Sequence, residues 1–242
     1  MTLSERFLKY VSFPTMSDDS SDTVPTTKKQ LALAKALTDE LLSLGLSDAH
    51  TDKYGYVYAT LPANTDKNVP VIGFIAHMDT SGAAPDFPIK AHMVEYNGGD
   101  ILLNEEKNIV MSVSEYPYLE NYRGKHLIVT DGTTLLGADD KAGVSEIMTM
   151  IAKLISSDKK HGEIKIGFTP DEEVGRGANH FDVKKFGADY AYTVDGGALG
   201  EIEYENFNAA HATVEIHGVS IHPGSAKNKM KNAITASVEP YP

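Results

Sequence analysis

The 242 residues contain no cysteine. That absence excludes a disulfide framework and any thiolate metal site, so a metal ion would have to be held by His, Asp and Glu. Positive charge is also scarce, with 22 Lys and Arg against 34 Asp and Glu, a formal net charge of -12. Such a balance disfavours nucleic acid and anionic membrane surfaces as partners and suits cations. No apolar run approaches eighteen residues, and the opening "MTLSERFLKYVSF" is amphipathic rather than a basic stretch followed by an apolar one. Neither a membrane span nor a secretory leader is therefore expected, and the cytoplasm is the expected compartment. What is present is 41% hydrophobic residues, enough to bury a core as one large domain or one domain plus a piece of another.

After a short first helix, "VPTTKKQLALAKALTDELLSLG" places Leu33, Leu37, Leu41 and Leu44 on one helical face, with Thr26 or Thr27 as N-cap and Gly45 as stop. "YGYVYATLP" alternates like a half-exposed strand, whereas "VPVIGFIAH" is the continuous apolar run of a buried central strand. Residues 81 to 130, rich in Gly, Pro, Asn and acid, read as loops and peripheral strands. From Lys141, "KAGVSEIMTMIAKLISS" sets Val144, Ile147, Met148, Ile151, Leu154 and Ile155 on a packing face. "GEIKIGFTP" and "ADYAYTVDGG" read as two further strands flanking a helix around "GANHFDVKKFG". The alternation of strands and helices predicts an α/β fold.

The ends of these strands carry the chemistry. His77 follows one apolar run, Asp171, Glu172 and Glu173 follow another, Asp195 follows a third, and the adjacent Asp139 and Asp140 precede a helix. In an open α/β sheet the carboxyl ends of parallel strands border one crevice, where ligands bind. Each signal alone has an ordinary reading. His77-x-Asp79 is commonly a hydrogen-bonded loop, acids after Pro170 complement a helix dipole, and Asp195-Gly-Gly is usually a turn. Together they form a nitrogen and oxygen donor set suited to zinc, cobalt or manganese. A cation would also relieve the repulsion between Asp139 and Asp140.

"GFIAHMDTS", "TTLLGADDKAGVSEIM", "FTPDEEVGRGANHFD", "YTVDGG" and "GEIEYENFNAA", in that order, resemble the M20 family of cocatalytic metallopeptidases, most closely its tripeptide aminopeptidases. The resemblance implies a three-layer sandwich around a mixed, mostly parallel sheet, with a small α/β lid inserted. It implies two divalent metal ions, zinc by preference, with His77 and Asp195 on one, Asp139 bridging, and Glu173 on the other. Asp79 would orient His77, and Glu172 would be the general base. Asp140 would serve geometry rather than ligation, after a cis peptide bond between Asp139 and Asp140. The substrates implied are small peptides, and a homodimer built through the lid is implied for the longer form.

The catalytic part is expected over residues 1–207 and the start of the lid over 208–242. Ala212, Val214 and Ile216 alternate as a strand there, "HPG" leads to a helix, and His222 matches the lid histidine that reaches a substrate group or the developing oxyanion. The family continues where "VEPYP" ends this sequence and supplies a late His to the second metal. From this we expect a truncated chain holding one ion tightly at most, exposing apolar surface and showing little tripeptidase activity. A non-catalytic metal-binding remnant is the alternative from another class. Dipeptidase, carboxypeptidase and N-acyl amino acid deacylase are alternatives within the family, against which "DGTTLLGADDKAG" and "ENFNAA" favour the tripeptide branch.

Overall fold

The computed structural model describes residues 1–197, 199–205, 208–210 and 212–238. They fall into two compact units, Met1–Glu201 and Ile202–Pro242. In the first, helices α1 (Leu3–Val11), α2 (Gln30–Ser43) and α3 (Ala138–Ile155) accompany a five-stranded sheet. Its strands are β1 (His50–Thr51), β2 (Val57–Leu61), β3 (Ile72–His77), β8 (Ile164–Thr169) and β9 (Tyr190–Thr193). Between β3 and α3 lie two small antiparallel pairs, β4 (His92–Tyr96) with β7 (Lys125–Val129) and β5 (Ile101–Asn104) with β6 (Ile109–Met111). They are the peripheral strands expected over residues 81 to 130.

The sheet order is β1-β2-β8-β3-β9. β8, β3 and β9 are parallel neighbours, while β2 runs antiparallel to β8 and to β1. Four of the five strands therefore point the same way, the mixed and mostly parallel sheet that was expected. Register fixes which side chains reach which face. Val57, Ala59, Ala76, Ile164, Ile166 and Phe168 join Leu33, Leu37, Leu41, Val144, Ile147 and Ile151 in one core beneath the three helices. The intervening Tyr56 and Tyr58 face the other way, where Phe181 and Phe186 cover them. That covering includes the one-turn helix α4 (Val183–Phe186), so the third layer is thin here.

Three local expectations change. β2 is buried on both faces rather than half exposed, because Phe181 and Phe186 arrive from about 120 residues downstream to pack on its tyrosines. The helix expected around "GANHFDVKKFG" shrinks to α4, which Asp182 caps at Lys185 N–H and Gly187 ends at φ +67°. Neither Thr26 nor Thr27 caps α2. Lys29 occupies that position without a side-chain bond, and Thr26 is engaged elsewhere by Asp171. Gly45 does stop the helix, with φ +95°. α1 carries a capping box the sequence reading passed over, Thr2 Oγ1 accepting from Glu5 N–H and Glu5 accepting from Thr2 N–H.

The second unit, described by itself, contains the short helix α5 (Ala233–Val238) and a 3₁₀ turn at Pro223–Ser225. Among the described residues there is no strand over 212–218. Just beyond, among the described residues, Val219 and Lys231 form an antiparallel bridge. The break expected at "VEPYP" falls on residues 239–242, outside the described residues. The contact boundary at residues 201 and 202 lies six residues before the expected division at 207 and 208.

α3 begins irregularly. Its second and third residues, Asp139 and Asp140, have non-helical dihedrals, and the peptide bond between them is cis, as the resemblance implied. Gly137 stands before them with φ +75°. One turn further, a Cβ on Gly143 would lie 1.8 Å from the Val194 carbonyl oxygen and 2.5 Å from Asp140 Oδ1. Only glycine lets α3 approach the backbone just beyond β9 that closely. Gly143→Ala is expected to destabilise the chain by about 3 kcal/mol, the upper part of the range for overpacking. Chemical denaturation measures it, and a loss below about 1 kcal/mol would show that the approach is not tight.

Candidate metal and catalytic site

The topology gathers at one sheet edge what the sequence scatters. β3 ends at His77, β8 runs through Thr169 into Asp171, Glu172 and Glu173, and β9 stops two residues before Asp195. Because the three strands are parallel neighbours, their carboxyl ends lie side by side. α3, packed on β3, brings Asp139 to the same edge. His77, Asp139 and Glu173 each offer a ligand atom within 4.8 Å of one another, and so do His77, Glu172 and Asp195. All five residues expected as ligands or base are therefore brought together, with His77 common to both groups.

His77 is 2% exposed, whereas the Asp139 side chain is 72% exposed. The imidazole is thus fixed from behind and the carboxylates reach it from the solvent side. Its Nδ1 lies 3.0 Å from the backbone oxygen of Asp79 and 3.5 Å from that residue's Oδ1. A carbonyl oxygen only accepts, so Nδ1 carries a proton and Nε2 is the atom presented to the cluster. Nε2 stands 2.8 Å from Asp139 Oδ1 and 3.8 Å from both Glu172 Oε2 and Asp195 Oδ2.

Asp79 is fully buried and holds more than His77. Its Oδ1 and Oδ2 accept the N–H groups of Glu172 and Glu173 at 2.9 and 3.1 Å. Asp140 is buried too. It accepts the His77 N–H at 3.1 Å and the Gly143 N–H at 3.1 Å, fastening α3 to β3. The sequence reading gave Asp140 a geometric role without finding these bonds, and its only local signal was a second acid beside a strand end.

Crowding shifts the protonation of the cluster. Burial pulls His77 downward, but its bond to Asp79, the charges of Asp79 and Asp140 and its bond to Asp139 outweigh that and raise it to about 10. Burial raises Asp140 to about 8, helped by the charge of Asp195 and opposed by His77. Glu172, Glu173 and Asp195 are all raised, first by burial and then by neighbouring carboxylates. Asp79 alone goes down, because its bonds to His77 and Glu172 N–H overcome its burial. Lys141 is wholly buried, which lowers it to about 8, and its Nζ donates to Phe13 O at 2.8 Å.

Beside Asp139, Asp140 and Asp195 a cleft of about 680 Å³ is bordered by Gly196, Gly197 and Gly200, which leaves room for a ligand. His222 belongs to the second unit, where its Nδ1 accepts the Gly224 N–H at 3.1 Å.

These features define the class. A peptidase dimerisation domain of the M20 type matches residues 204–239. Peptidase T from Caldanaerobacter subterraneus subsp. tengcongensis is 59% identical over 237 residues, 97% of this chain and 58% of that protein. Peptidase T from Halothermothrix orenii is 57% identical with the same coverage. Among solved structures, aminopeptidase PepT from Bacillus cereus ATCC 10987 superposes over 97% of this chain and 54% of its own, with TM-score 0.61 and 27% identity. A Staphylococcus aureus tripeptidase shares the fold at TM-score 0.57 and 23% identity, covering 81% of this chain and 43% of its own. The fold is that of the M20 peptidases. In sequence the chain belongs to the peptidase T family over the part it spans, which is 58% of the length of these relatives.

The metal-free chain is expected to lose stability as the pH rises from 6.5 to 8. A histidine held near 10 contributes fully below its ordinary 6.5 and loses that contribution as the pH approaches 10. A carboxyl raised from 3.8 to about 8 favours folding below 3.8 and loses that advantage up to 8. Both act in the same direction between 6.5 and 8. Above 8, Lys141 opposes them, since a lysine lowered from 10.5 gains its contribution only as the pH climbs through that range. Thermal unfolding in chelator should give a Tm that falls from pH 6.5 to 8 and then flattens. A Tm that rises across that interval would contradict the crowded, proton-sharing site.

Proposed function

We propose that the strand-end cluster is a divalent-metal centre, and that it carries the metal-binding and proton-transfer part of an aminopeptidase removing the N-terminal residue of tripeptides. The observation behind this reading is the convergence of His77, Asp139, Glu172, Glu173 and Asp195 within 4.8 Å in two overlapping groups. The donor set fits the group. One imidazole with its Nδ1 proton held by Asp79 O, surrounded by carboxylates without any thiolate, is the hard-to-borderline environment in which zinc, cobalt or manganese binds. His77, Asp139 and Asp195 would hold one ion, with Asp139 and Glu173 serving a second. Ions held there would polarise the scissile carbonyl and make water more acidic.

The remaining chemistry belongs to side chains. Glu172 is half exposed, 3.8 Å from His77 Nε2, and burial together with neighbouring carboxylates raises its proton affinity. A base poised in this way takes a proton from the attacking water and returns it to the departing amine. Asp79 keeps the His77 ring in one tautomer and holds the Glu172–Glu173 backbone through both N–H groups. Small peptides are the substrates by this reading. The names of the relatives, Peptidase T, PepT and a tripeptidase, support peptides over N-acyl amino acids.

One observation favours a narrower second reading, an ion-binding chain without turnover of its own. Among the described residues the cluster contains a single imidazole, and one Nε2 serves one ion. That favours one tight site, with a second ion left to carboxylates and water.

Calorimetric titration with zinc, cobalt or manganese, paired with hydrolysis of tripeptide, dipeptide and N-acyl amino acid substrates, separates these readings. Glu172→Gln is expected to retain metal while lowering tripeptide turnover by about 100 to 10,000-fold. Glu173→Gln is expected to weaken the second ion. The opposite pattern would exchange the roles of base and ligand, and tight binding without turnover would select the narrower reading.

A further inference from the structure

Asp171, between Pro170 and the paired glutamates, has no role in the chemistry described so far. It is 1% exposed and has φ +59°. The left-handed region disfavours residues with a Cβ, and Asp enters it where local bonds hold it there. Here they do. Oδ1 accepts from Thr26 N–H at 3.0 Å, Thr26 Oγ1 at 2.5 Å and Gln30 Nε2 at 2.7 Å, and Oδ2 accepts from Thr26 N–H at 2.9 Å. The Asp171 N–H donates to Gln30 Oε1 at 3.2 Å, and its carbonyl accepts from Arg176 N–H at 2.9 Å. The backbone at this one residue is held from the entry and first turn of α2 and from the loop that follows.

That backbone sets the direction of the next two residues. Beyond the left-handed turn, the N–H groups of Glu172 and Glu173 converge on the two oxygens of Asp79, the nest arrangement by which consecutive amides grip an anion. Asp79 in turn touches His77 Nδ1. A chain of direct contacts thus runs from Thr26 and Gln30 through Asp171 to the glutamate backbone and on to His77.

We propose that Asp171 is a positioning residue: with Thr26 and Gln30 it fixes the turn that sends the Glu172 and Glu173 carboxylates to different places in the metal centre. The proposal rests on the metal-centre reading above. It distinguishes Asp171 from a mere anchor for α2, because its loss should change the metal site beyond any change in global stability.

The test uses the whole chain with Co²⁺ as probe, whose visible spectrum reports ligand number and geometry. Asp171→Gly removes the side-chain bonds while tolerating positive φ without strain. Asp171→Asn keeps the Oδ1 acceptor and a residue that also tolerates that conformation. Thr26→Ala removes a donor from the far end without touching the glutamate loop. We expect Asp171→Gly to weaken Co²⁺ binding at least about 10-fold, as loss of residues that orient metal ligands does, and to change the visible bands. Amide exchange at Glu172 and Glu173 should accelerate in the metal-free variant. Asp171→Asn should recover most of the affinity, and Thr26→Ala should lose several-fold. A wild-type chain that takes up no Co²⁺ overturns the metal reading and this proposal with it. Normal Co²⁺ binding by wild type with unchanged affinity and spectrum in Asp171→Gly overturns this proposal alone, whatever happens to Tm. If Asp171→Gly does not fold, Thr26→Ala decides in the same way.

Discussion

The structure turns on one buried imidazole surrounded by carboxylates. Asp79, Asp139, Asp140, Glu172, Glu173 and Asp195 all bear on His77 through bonds or charge. Like charges brought together at a desolvated edge repel, and Asp140, Glu172, Glu173 and Asp195 hold their protons more firmly. Without metal the compensation comes from His77, raised to about 10, and from a proton on Asp140, raised to about 8. A divalent ion at His77 Nε2 would supply that compensating charge instead. The crowding that looks unfavourable in the free chain is what a cation site requires.

Everything behind the cluster serves to hold it in place. Parallel alignment of β8, β3 and β9 brings three strand ends to one edge. The Asp140 carboxylate ties α3 to the last residue of β3, and Gly143 lets the same helix reach the backbone beyond β9. Asp79 joins the ends of β3 and β8 by accepting two amides from the glutamate turn. The fold supplies the backing, and carboxylates make the more exposed face of the site.

Much of this was legible in the sequence because it depends on local pattern. The unbroken apolar run before His77, the run before Asp171 and the helical stripe from Val144 to Ile155 each announce their element. The residues that follow them are then placed by the carboxyl-end rule for parallel sheets. What stayed hidden depends on partners far away in sequence. Thr26 looks like a helix cap, yet it bonds Asp171, 145 residues later. β2 looks half exposed, yet Phe181 and Phe186 cover its outer face. Asp171 looks like one more acid beside two better candidates, and only its left-handed backbone and buried bonds set it apart. The alternation at Ala212, Val214 and Ile216 is a strand pattern, yet among the described residues 212–218 form no strand.

A divalent ion bound at His77 is the central expectation. Crystals of the chain grown with zinc, measured on both sides of the zinc absorption edge, would locate it directly. An anomalous peak is expected about 2.0 to 2.1 Å from His77 Nε2, with carboxylate oxygens of Asp139 and Asp195 at about 2.0 to 2.2 Å. Well-ordered density for His77 with no peak there, or a peak bound only by surface residues elsewhere, would contradict it.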